Sequence, residues 1–361
     1  MDLKTKPDSE SAMRRIDAWF KGDIIDRAPI RFSRHNAQYD SAKEHFIETS
    51  QWRTLKDKWM DAEYQVDAFL KETESGIYLA ETFPVYWPNL GPDIYAAFFG
   101  CELDYDETTS WSHPIVRDIS EVSDSNLPEF DSGNIYLQKI REMTDLALEK
   151  CSGVAITGVT CWCPGIDTVA AWRSPANLCL DLILEPDQVK KLLSASMKPF
   201  NKLFDSYYRQ IEANNLPMVS WMGIPSWGKC HIAQTDFANM ISPQQFEEFC
   251  LPSLREEIAG MDRVIFHMDG KGVANHLDFL LSEPGITAIQ WVQGVGDDEP
   301  IVQWVPLIRK IQSAGKSLVI DLKVSELDAF MEAVDPRGLL LCIDAEPDAQ
   351  YEIIRKVQKW K

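Results

Sequence analysis

The 361-residue sequence predicts an α/β protein, a closed (β/α)8 or TIM barrel with an N-terminal helical extension and an insertion after the second strand. Two observations predict this class. Strand-like apolar runs alternate with helical patterns, and such alternation favours parallel strands joined by right-handed helical crossovers. The turn after the first run, Arg34-His35-Asn36-Ala37, has no glycine, which argues against an open dinucleotide-binding sheet. The chain is therefore expected to be one barrel domain over residues 1–361.

Eight short apolar runs have the length and composition of strands. In chain order they are Ala28–Ser33, Gly76–Thr82, Val154–Thr160, Met218–Met222, Arg263–Met268, Thr287–Val292, Ser317–Leu322 and Leu339–Asp344. Helical signals lie between them, such as the cap candidate Ser242 followed by Pro243. The stretch 83–132 holds prolines at 84, 88, 92, 114 and 128, too many for one helical crossover. We expect it to be an insertion packed on the barrel.

Composition limits the classes of function. The formal net charge of −20 and the pI near 4.7 exclude nucleic acid and anionic membranes as expected partners. The N-terminal segment lacks the pattern of a secretion signal and no run of eighteen apolar residues occurs, so a cytoplasmic location is expected. The eight cysteines should then be reduced thiols, available as metal ligands.

The clearest local signal is Phe266-His267-Met268-Asp269-Gly270 at the end of the fifth predicted strand. Residues two apart on a strand share a face, so His267 and Asp269 should point into the barrel mouth, where barrel enzymes keep their active sites. Imidazole and carboxylate are zinc ligands, and Cys342 on the last strand is a candidate third ligand. The alternative is a hydrogen-bonded His–Asp pair without metal.

Other side chains at strand ends are candidates for the same site. Asp236 is a candidate acid or base, and His267 and Gln290 are the other catalytic candidates. Trp221 and Trp291 are candidates for lining a ligand pocket. Arg34 and His35 follow the first strand and are candidate substrate-binding residues. The thiols of Cys161-Trp162-Cys163 are interpreted as buried apolar groups, because no second paired-cysteine motif accompanies them.

The chain resembles the uroporphyrinogen decarboxylase superfamily over nearly its whole length. The resemblance is carried by Gly22-Asp23-Ile24-Ile25-Asp26-Arg27-Ala28-Pro29, Gly91-Pro92-Asp93-Ile94-Tyr95-Ala96-Ala97-Phe98-Phe99-Gly100, Met240-Ile241-Ser242-Pro243, Phe249-Cys250-Leu251-Pro252, Phe266-His267-Met268-Asp269-Gly270 and Ala288-Ile289-Gln290-Trp291-Val292. These segments look most like an uncharacterised branch related to zinc-dependent corrinoid methyltransferases. The resemblance implies a (β/α)8 barrel.

The two chemistries of that superfamily leave different marks. The decarboxylases carry Arg-Gln-Ala-Gly-Arg after the first strand and an aspartate after the fourth, whereas this chain has Arg31-Phe32-Ser33-Arg34-His35-Asn36, and Pro225 stands near the aspartate position. The methyltransferases carry His-x-Cys-Gly and a further cysteine near the last strand. Here His267 and Gly270 match, Asp269 replaces the cysteine, and Cys342 lies near the last ligand.

The resemblance therefore implies a methyltransferase that moves a methyl group between a small methylated substrate and a corrinoid protein, with zinc bound by His267, Asp269 and Cys342. Replacing cysteine by Asp269 makes the ligand set harder, which suits an alkyl-oxygen or amine substrate better than a thiol. A homodimer is a further expectation. Two alternatives stay open: a decarboxylase of a different carboxylated substrate, and a barrel that binds a tetrapyrrole or corrinoid without chemistry.

Overall fold

The computed structural model describes residues 1–33 and 52–360, so the predicted substrate-binding residues Arg34 and His35 lie outside the described residues. The described chain is a mixed α/β structure with ten strands. They are β1 Ile30–Phe32, β2 Val85–Tyr86, β3 Leu103–Tyr105, β4 Ser110–Ser112, β5 Ile156–Thr157, β6 Cys230–Gln234, β7 Arg263–Asp269, β8 Ala288–Val292, β9 Ser317–Lys323 and β10 Leu339–Asp344.

The helices mostly alternate with these strands. They are α1 Ser9–Phe20, α2 Leu55–Trp59, α3 Ala62–Glu74, α4 Ile94–Ala97, α5 Ile135–Lys150, α6 Ile166–Arg173, α7 Pro175–Leu184, α8 Pro186–Met197, α9 Phe200–Ala213, α10 Pro243–Gln245, α11 Leu251–Ile258, α12 Gly270–Ala274, α13 Leu277–Ser282, α14 Val305–Ser313, α15 Leu327–Ala333 and α16 Pro347–Val357. A π-helical turn, Phe246–Cys250, joins α10 to α11. Short 3-10 turns cover Ile119–Glu121, Asp236–Met240, Gly296–Asp298, Ile301–Trp304 and Val324–Glu326. No helix in the described ranges is both long and apolar enough to cross a membrane.

Six strands form one parallel sheet in the order β1-β10-β9-β8-β7-β6, and β2 pairs in parallel with β5. The backbone amide of Glu81 donates to Ile30 O at 2.8 Å and that of Val159 donates to Val219 O at 2.8 Å, but these single bonds do not extend the strand ladders. The parallel α/β class is therefore confirmed. Within the described residues, the hydrogen-bond ladder does not close into the complete eight-strand ring.

Two of the eight predicted strands are wrong. Between Gly76 and Thr82 the chain turns, with a positive φ of 51° at Ala80, and the strand that pairs with β5 is β2, inside the range predicted as insertion. Residues 218–222 make only an isolated antiparallel bridge, from Met218 to Ser226, and β6 is the strand beside β7. The other six predicted runs each contain a strand of the parallel sheets.

Alternating side chains on the large sheet pack into two separate cores. Val264, Phe266 and Met268 of β7 face outward into the main cluster beneath the helices, whereas Ile265 faces an inner cluster. The members of the inner cluster on the sheet include Ile232, Ile265, Ala288, Val319, Leu340 and Cys342. This alternation is what the sequence predicts for β7.

Helix α1 confirms the predicted N-terminal extension and covers one end of the inner cluster. Its apolar residues Ala12, Met13, Ile16 and Trp19 recur at helical spacing and are all buried in that cluster. The indole Nε1 of Trp19 donates to Leu318 O and Gly338 O, at the N-terminal ends of β9 and β10. The opposite, C-terminal ends of the strands therefore remain for the site.

A buried ion pair connects β1 to the turn that precedes β2. Arg27 donates to the two carboxylate oxygens of Glu81 at 2.7 and 2.9 Å, and the Ile30 amide donates to the same carboxylate at 2.7 Å. Both charged side chains are almost completely buried. The pair replaces the missing strand ladder at this edge of the sheet with charge-assisted hydrogen bonds.

Candidate functional site

Three side chains that can bind a metal ion converge at the C-terminal ends of β6 and β7. His267 and Asp269 are on β7, and Asp236 lies two residues beyond β6. Their potential ligand atoms all lie within 4.8 Å of one another, and among the described residues this is the only such group of three. The prediction that His267 and Asp269 share a face is confirmed, because Ile265 below them faces the inner core.

The local sequence explains why Asp236 joins this pair. Gln234, the last residue of β6, stands in register with His267 on β7, so both point to the same side of the sheet. The chain then turns into the Asp236–Met240 segment, and Gln234 Nε2 donates to Asp236 Oδ2 at 3.2 Å. The strand thus presents a second carboxylate beside the histidine.

A hydrogen-bond chain fixes the His267 ring. The ring Nδ1 lies 2.7 Å from Gln290 Oε1, and Gln290 Nε2 donates to Asp321 Oδ2 at 3.4 Å. Because an amide oxygen can only accept, Nδ1 carries the ring proton and Nε2 keeps its lone pair. The Trp221 ring also packs edge-on against the imidazole, with centroids 5.0 Å apart. The histidine is therefore oriented as a metal ligand or as a base through Nε2.

Clustered carboxylates give the site a strongly negative character. Desolvation of the carboxyl group and the negative charge of Asp269 raise the pKa of Asp236 to about 6. The residue as a whole is exposed. Burial, and next the charge of Asp236, raise the pKa of Asp167 to about 7, while two backbone amides that donate to Asp167 act in the opposite direction. Burial also raises the pKa of Asp321. A bound cation would relieve the repulsion between these groups.

A cavity of about 460 Å³ opens beside Asp236. Its walls come from the segment before and after β3 and β4, from the loop and helix after β5, and from the end of β6. They include Asp93, Tyr95, Trp111, Cys163, Asp167, Gln234, Asp236, Phe237 and Met240. The described residues lining it supply three carboxylates and no lysine, arginine or histidine. Sequence reasoning missed Asp93 and Asp167, which do not follow predicted strands directly.

Cys342 does not belong to the convergent group, so the predicted ligand set of His267, Asp269 and Cys342 is corrected in the described structure. Cys342 is buried on β10, in register with Arg31 on β1 and Asp321 on β9. Two strands separate β10 from β7, and burial raises the pKa of the Cys342 thiol to about 12. Asp236, predicted only as an acid or base, occupies the third position instead.

The remaining predicted residues fall into two groups. Trp221 and Gln290 both contact His267, so Gln290 acts on the site through the histidine. Trp291 is completely buried on the outer face of β8, where it packs against Trp304 with ring centroids 4.9 Å apart. This placement does not fit the predicted ligand contact, because successive residues of a strand point to opposite faces and Gln290 takes the inner one.

Two solved structures are similar to this chain. A methyltransferase from Methanosarcina mazei matches with a TM-score of 0.62 at 12% sequence identity, over 96% of this chain and 98% of that chain. A B12-independent methionine synthase from Shewanella sp. W3-18-1, in complex with selenomethionine, matches with a TM-score of 0.41 at 12% identity, over 81% and 88%. No family model and no curated protein matches the sequence. At this identity the first likeness shows a shared fold of TIM-barrel type.

Proposed function

We propose that the protein is a methyltransferase that uses a divalent metal ion held by Asp236, His267 and Asp269 to act on a small methylated substrate in the adjoining cavity. The observation that carries the proposal is the convergence of these three side chains, with Nε2 of His267 left free by the bond from Nδ1 to Gln290. The fold likeness to the Methanosarcina mazei methyltransferase supports the same class. A corrinoid bound to a partner protein would be the other methyl carrier.

The ligand set suits a divalent ion such as zinc. Two carboxylates and one neutral imidazole balance its charge, and three protein ligands leave a coordination position for substrate. When bound, such an ion supplies Lewis acidity that polarises the bond between a methyl group and its oxygen or nitrogen. Oxygen and nitrogen ligands make the site harder than a site with cysteines, so an ether or methylated amine is a better substrate than a thiol.

The cavity indicates the charge of the substrate. Three carboxylates line it with no cationic side chain among the described lining residues, and Tyr95, Trp111 and Phe237 supply aromatic surface. Such walls favour a neutral or cationic methylated molecule, whose apolar and positive groups pack on aromatic rings. The same walls repel a substrate with several carboxylates, which needs converging guanidinium or ammonium groups. A decarboxylase of such a substrate is therefore less favoured and stands as the second candidate.

The chain's own groups then have distinct roles. Asp236, His267 and Asp269 bind the ion, and Gln290 holds the imidazole in the tautomer that exposes Nε2. The backbone amides of Asp236 and Phe237 hold Asp167 in place at the junction between the metal ligands and the cavity. From there Asp167 can accept a proton or a hydrogen bond from the substrate.

A methyl-donor screen tests the proposal. Zinc-loaded protein is incubated with Co(I) corrinoid and single methylated amines, ethers or phenol ethers, and formation of methyl-Co(III) is followed by its absorbance. We expect turnover with at least one neutral or cationic donor, and loss of that turnover in His267→Ala. The matched control is His113→Ala. His113 is half exposed beside Asp104, directly after β4 in the hairpin that β3 and β4 form.

Two results would contradict methyl transfer. Release of CO₂ from a carboxylated substrate without any corrinoid would identify a decarboxylase. Tight stoichiometric binding of a corrinoid or tetrapyrrole, with no turnover of any methyl donor, would identify a binding protein.

A further inference from the structure

Two thiols lie in contact at the wall of the cavity. Cys161 and Cys163 follow β5, and their Sγ atoms are 3.1 Å apart. Each residue is only 6% exposed in total. Among the hydrogen bonds and contacts of the described residues, no other cysteine pair shows such an approach. The pair was interpreted from sequence as two separate apolar groups, because spacing alone does not show that the sulfurs meet.

The environment of the pair does not suit a metal ion. Within the described residues, the only group of three or more histidine, cysteine, aspartate or glutamate ligand atoms is the one at Asp236, His267 and Asp269. Cys161 and Cys163 therefore lack a third ligand of these types close enough to complete a site. A disulfide, by contrast, needs only the two sulfurs, and its bond length of about 2.05 Å requires them to approach by about 1 Å.

One of the two cysteines lines the cavity. Cys163 lines the cavity together with Asp167 and Thr168, whereas Cys161 is not among the lining residues. The Thr168 hydroxyl donates to the Cys163 carbonyl, which anchors the backbone at this thiol. A small molecule in the cavity can therefore meet Cys163 first, with Cys161 in contact behind it.

We propose that Cys161 and Cys163 are a redox-active dithiol, which closes to an intramolecular disulfide when a small-molecule disulfide enters the cavity. In the first step the Cys163 thiolate attacks the reagent, its S–S bond breaks, and one thiol leaves with a mixed disulfide on Cys163. In the second step the Cys161 thiolate attacks Cys163 Sγ and releases the second thiol. The two protein protons end on the two released thiols, so the reagent is reduced as the protein is oxidised.

Closure changes a wall of the cavity and leaves the metal ligands in place. The disulfide removes both thiol hydrogens and ties Cys163, two residues before Gly165, to Cys161; Gly165 is the residue that precedes α6. Asp167 and Thr168 in the first turn of α6 line the same cavity. The expected result is weaker binding of cavity ligands in the oxidised protein and recovery after reduction. This inference does not depend on which reaction the protein catalyses.

Mass spectrometry of the full-length protein tests the proposal directly. Reduced protein is treated with cystamine, a small cationic disulfide that suits the acidic cavity, then quenched with acid and analysed intact and as peptides. We expect the loss of two hydrogen atoms, a Cys161–Cys163 link, and reversal by dithiothreitol. The hydrogen bond with Cys161, and next burial, raise the pKa of the Cys163 thiol, so closure should accelerate as the pH rises and thiolate forms.

Variants separate the two steps. Cys161→Ser should stop after the first step and keep one cysteamine in disulfide linkage on Cys163, while Cys163→Ser should give neither the link nor that adduct. Cys179→Ser is the matched control, because Cys179 is a half-buried thiol on α7, and it should close as fast as the wild type.

Free thiols at both positions after prolonged oxidation of folded wild-type protein would overturn the proposal, and this result needs no variant. Stable cysteamine adducts on the wild-type pair, without a link, would overturn it as well.

Discussion

The bond between His267 and Gln290 gives a quantitative prediction for metal binding. Gln290→Leu keeps approximately the side-chain volume but removes the 2.7 Å acceptor of Nδ1 and the weaker 3.4 Å bond to Asp321. The imidazole then loses its fixed tautomer and rotation. Loss of such a partner typically costs 10- to 100-fold in metal affinity, or about 1.4–2.7 kcal/mol. We expect this increase in the Kd for zinc.

Competition with a chromophoric chelator at constant pH measures the Kd of wild type and variant. Thermal unfolding of the metal-free proteins is measured in parallel. Because both bonds are between neutral or singly charged groups, the variant should lose only about 1 kcal/mol of stability. The matched control is Gln293→Leu, which removes a buried glutamine that donates to the carbonyls of Glu299 and Asp321 and does not touch His267. Equal zinc affinity in wild type and Gln290→Leu would refute the role of this bond.

Two further predictions concern stability. Glu81→Gln leaves the guanidinium of Arg27 buried without a counter-charge, so we expect the free energy of unfolding, measured with urea, to fall by about 3–5 kcal/mol. An unchanged urea midpoint would argue against the ion pair as the support of this sheet edge. In the folded protein the pKa of Asp167 is about 7, against an ordinary value of 3.8. Between pH 4 and 7 the unfolded chain therefore loses this proton while the folded protein keeps it, so the free energy of unfolding falls as the pH rises. In metal-free protein, the stability of Asp167→Asn relative to wild type should therefore increase by about 2–4 kcal/mol from pH 4 to pH 7, and a constant difference across that range would contradict the raised pKa.

The strands that sequence reasoning found correctly are those with strong side-chain alternation. Along β7 every second residue is apolar and outward-facing, and this period predicted both the strand and the shared direction of His267 and Asp269. Gly76–Thr82 misled because its apolar residues pack while the backbone turns at Ala80. Beside one backbone bond from Glu81 to Ile30, the amides of Ile30 and Phe32 donate to the side chains of Glu81 and Thr82, a tertiary interaction that no local pattern reveals.

The candidate metal site was predicted in part for a related reason. Periodicity fixes which residues of one strand share a face, so the His267 and Asp269 pair could be predicted from the sequence alone. The third ligand depends on strand order and register, which place β6 next to β7 and put two strands, β8 and β9, between β7 and β10. The sequence predicts Asp236 as a polar residue in the loop after a strand at residues 218–222. Because the actual strand is β6, immediately before Asp236, the distance from Asp236 to His267 does not follow from the sequence.

Isothermal titration of zinc into metal-free protein tests the central claim most directly, with Asp236→Asn and Cys342→Ser as the paired variants. The account predicts one ion per chain in the wild type, affinity weakened at least tenfold in Asp236→Asn, and unchanged affinity in Cys342→Ser. Binding lost in Cys342→Ser but retained in Asp236→Asn would contradict the proposed ligand set of Asp236, His267 and Asp269. Absence of any zinc binding by the wild type would contradict the metal site itself.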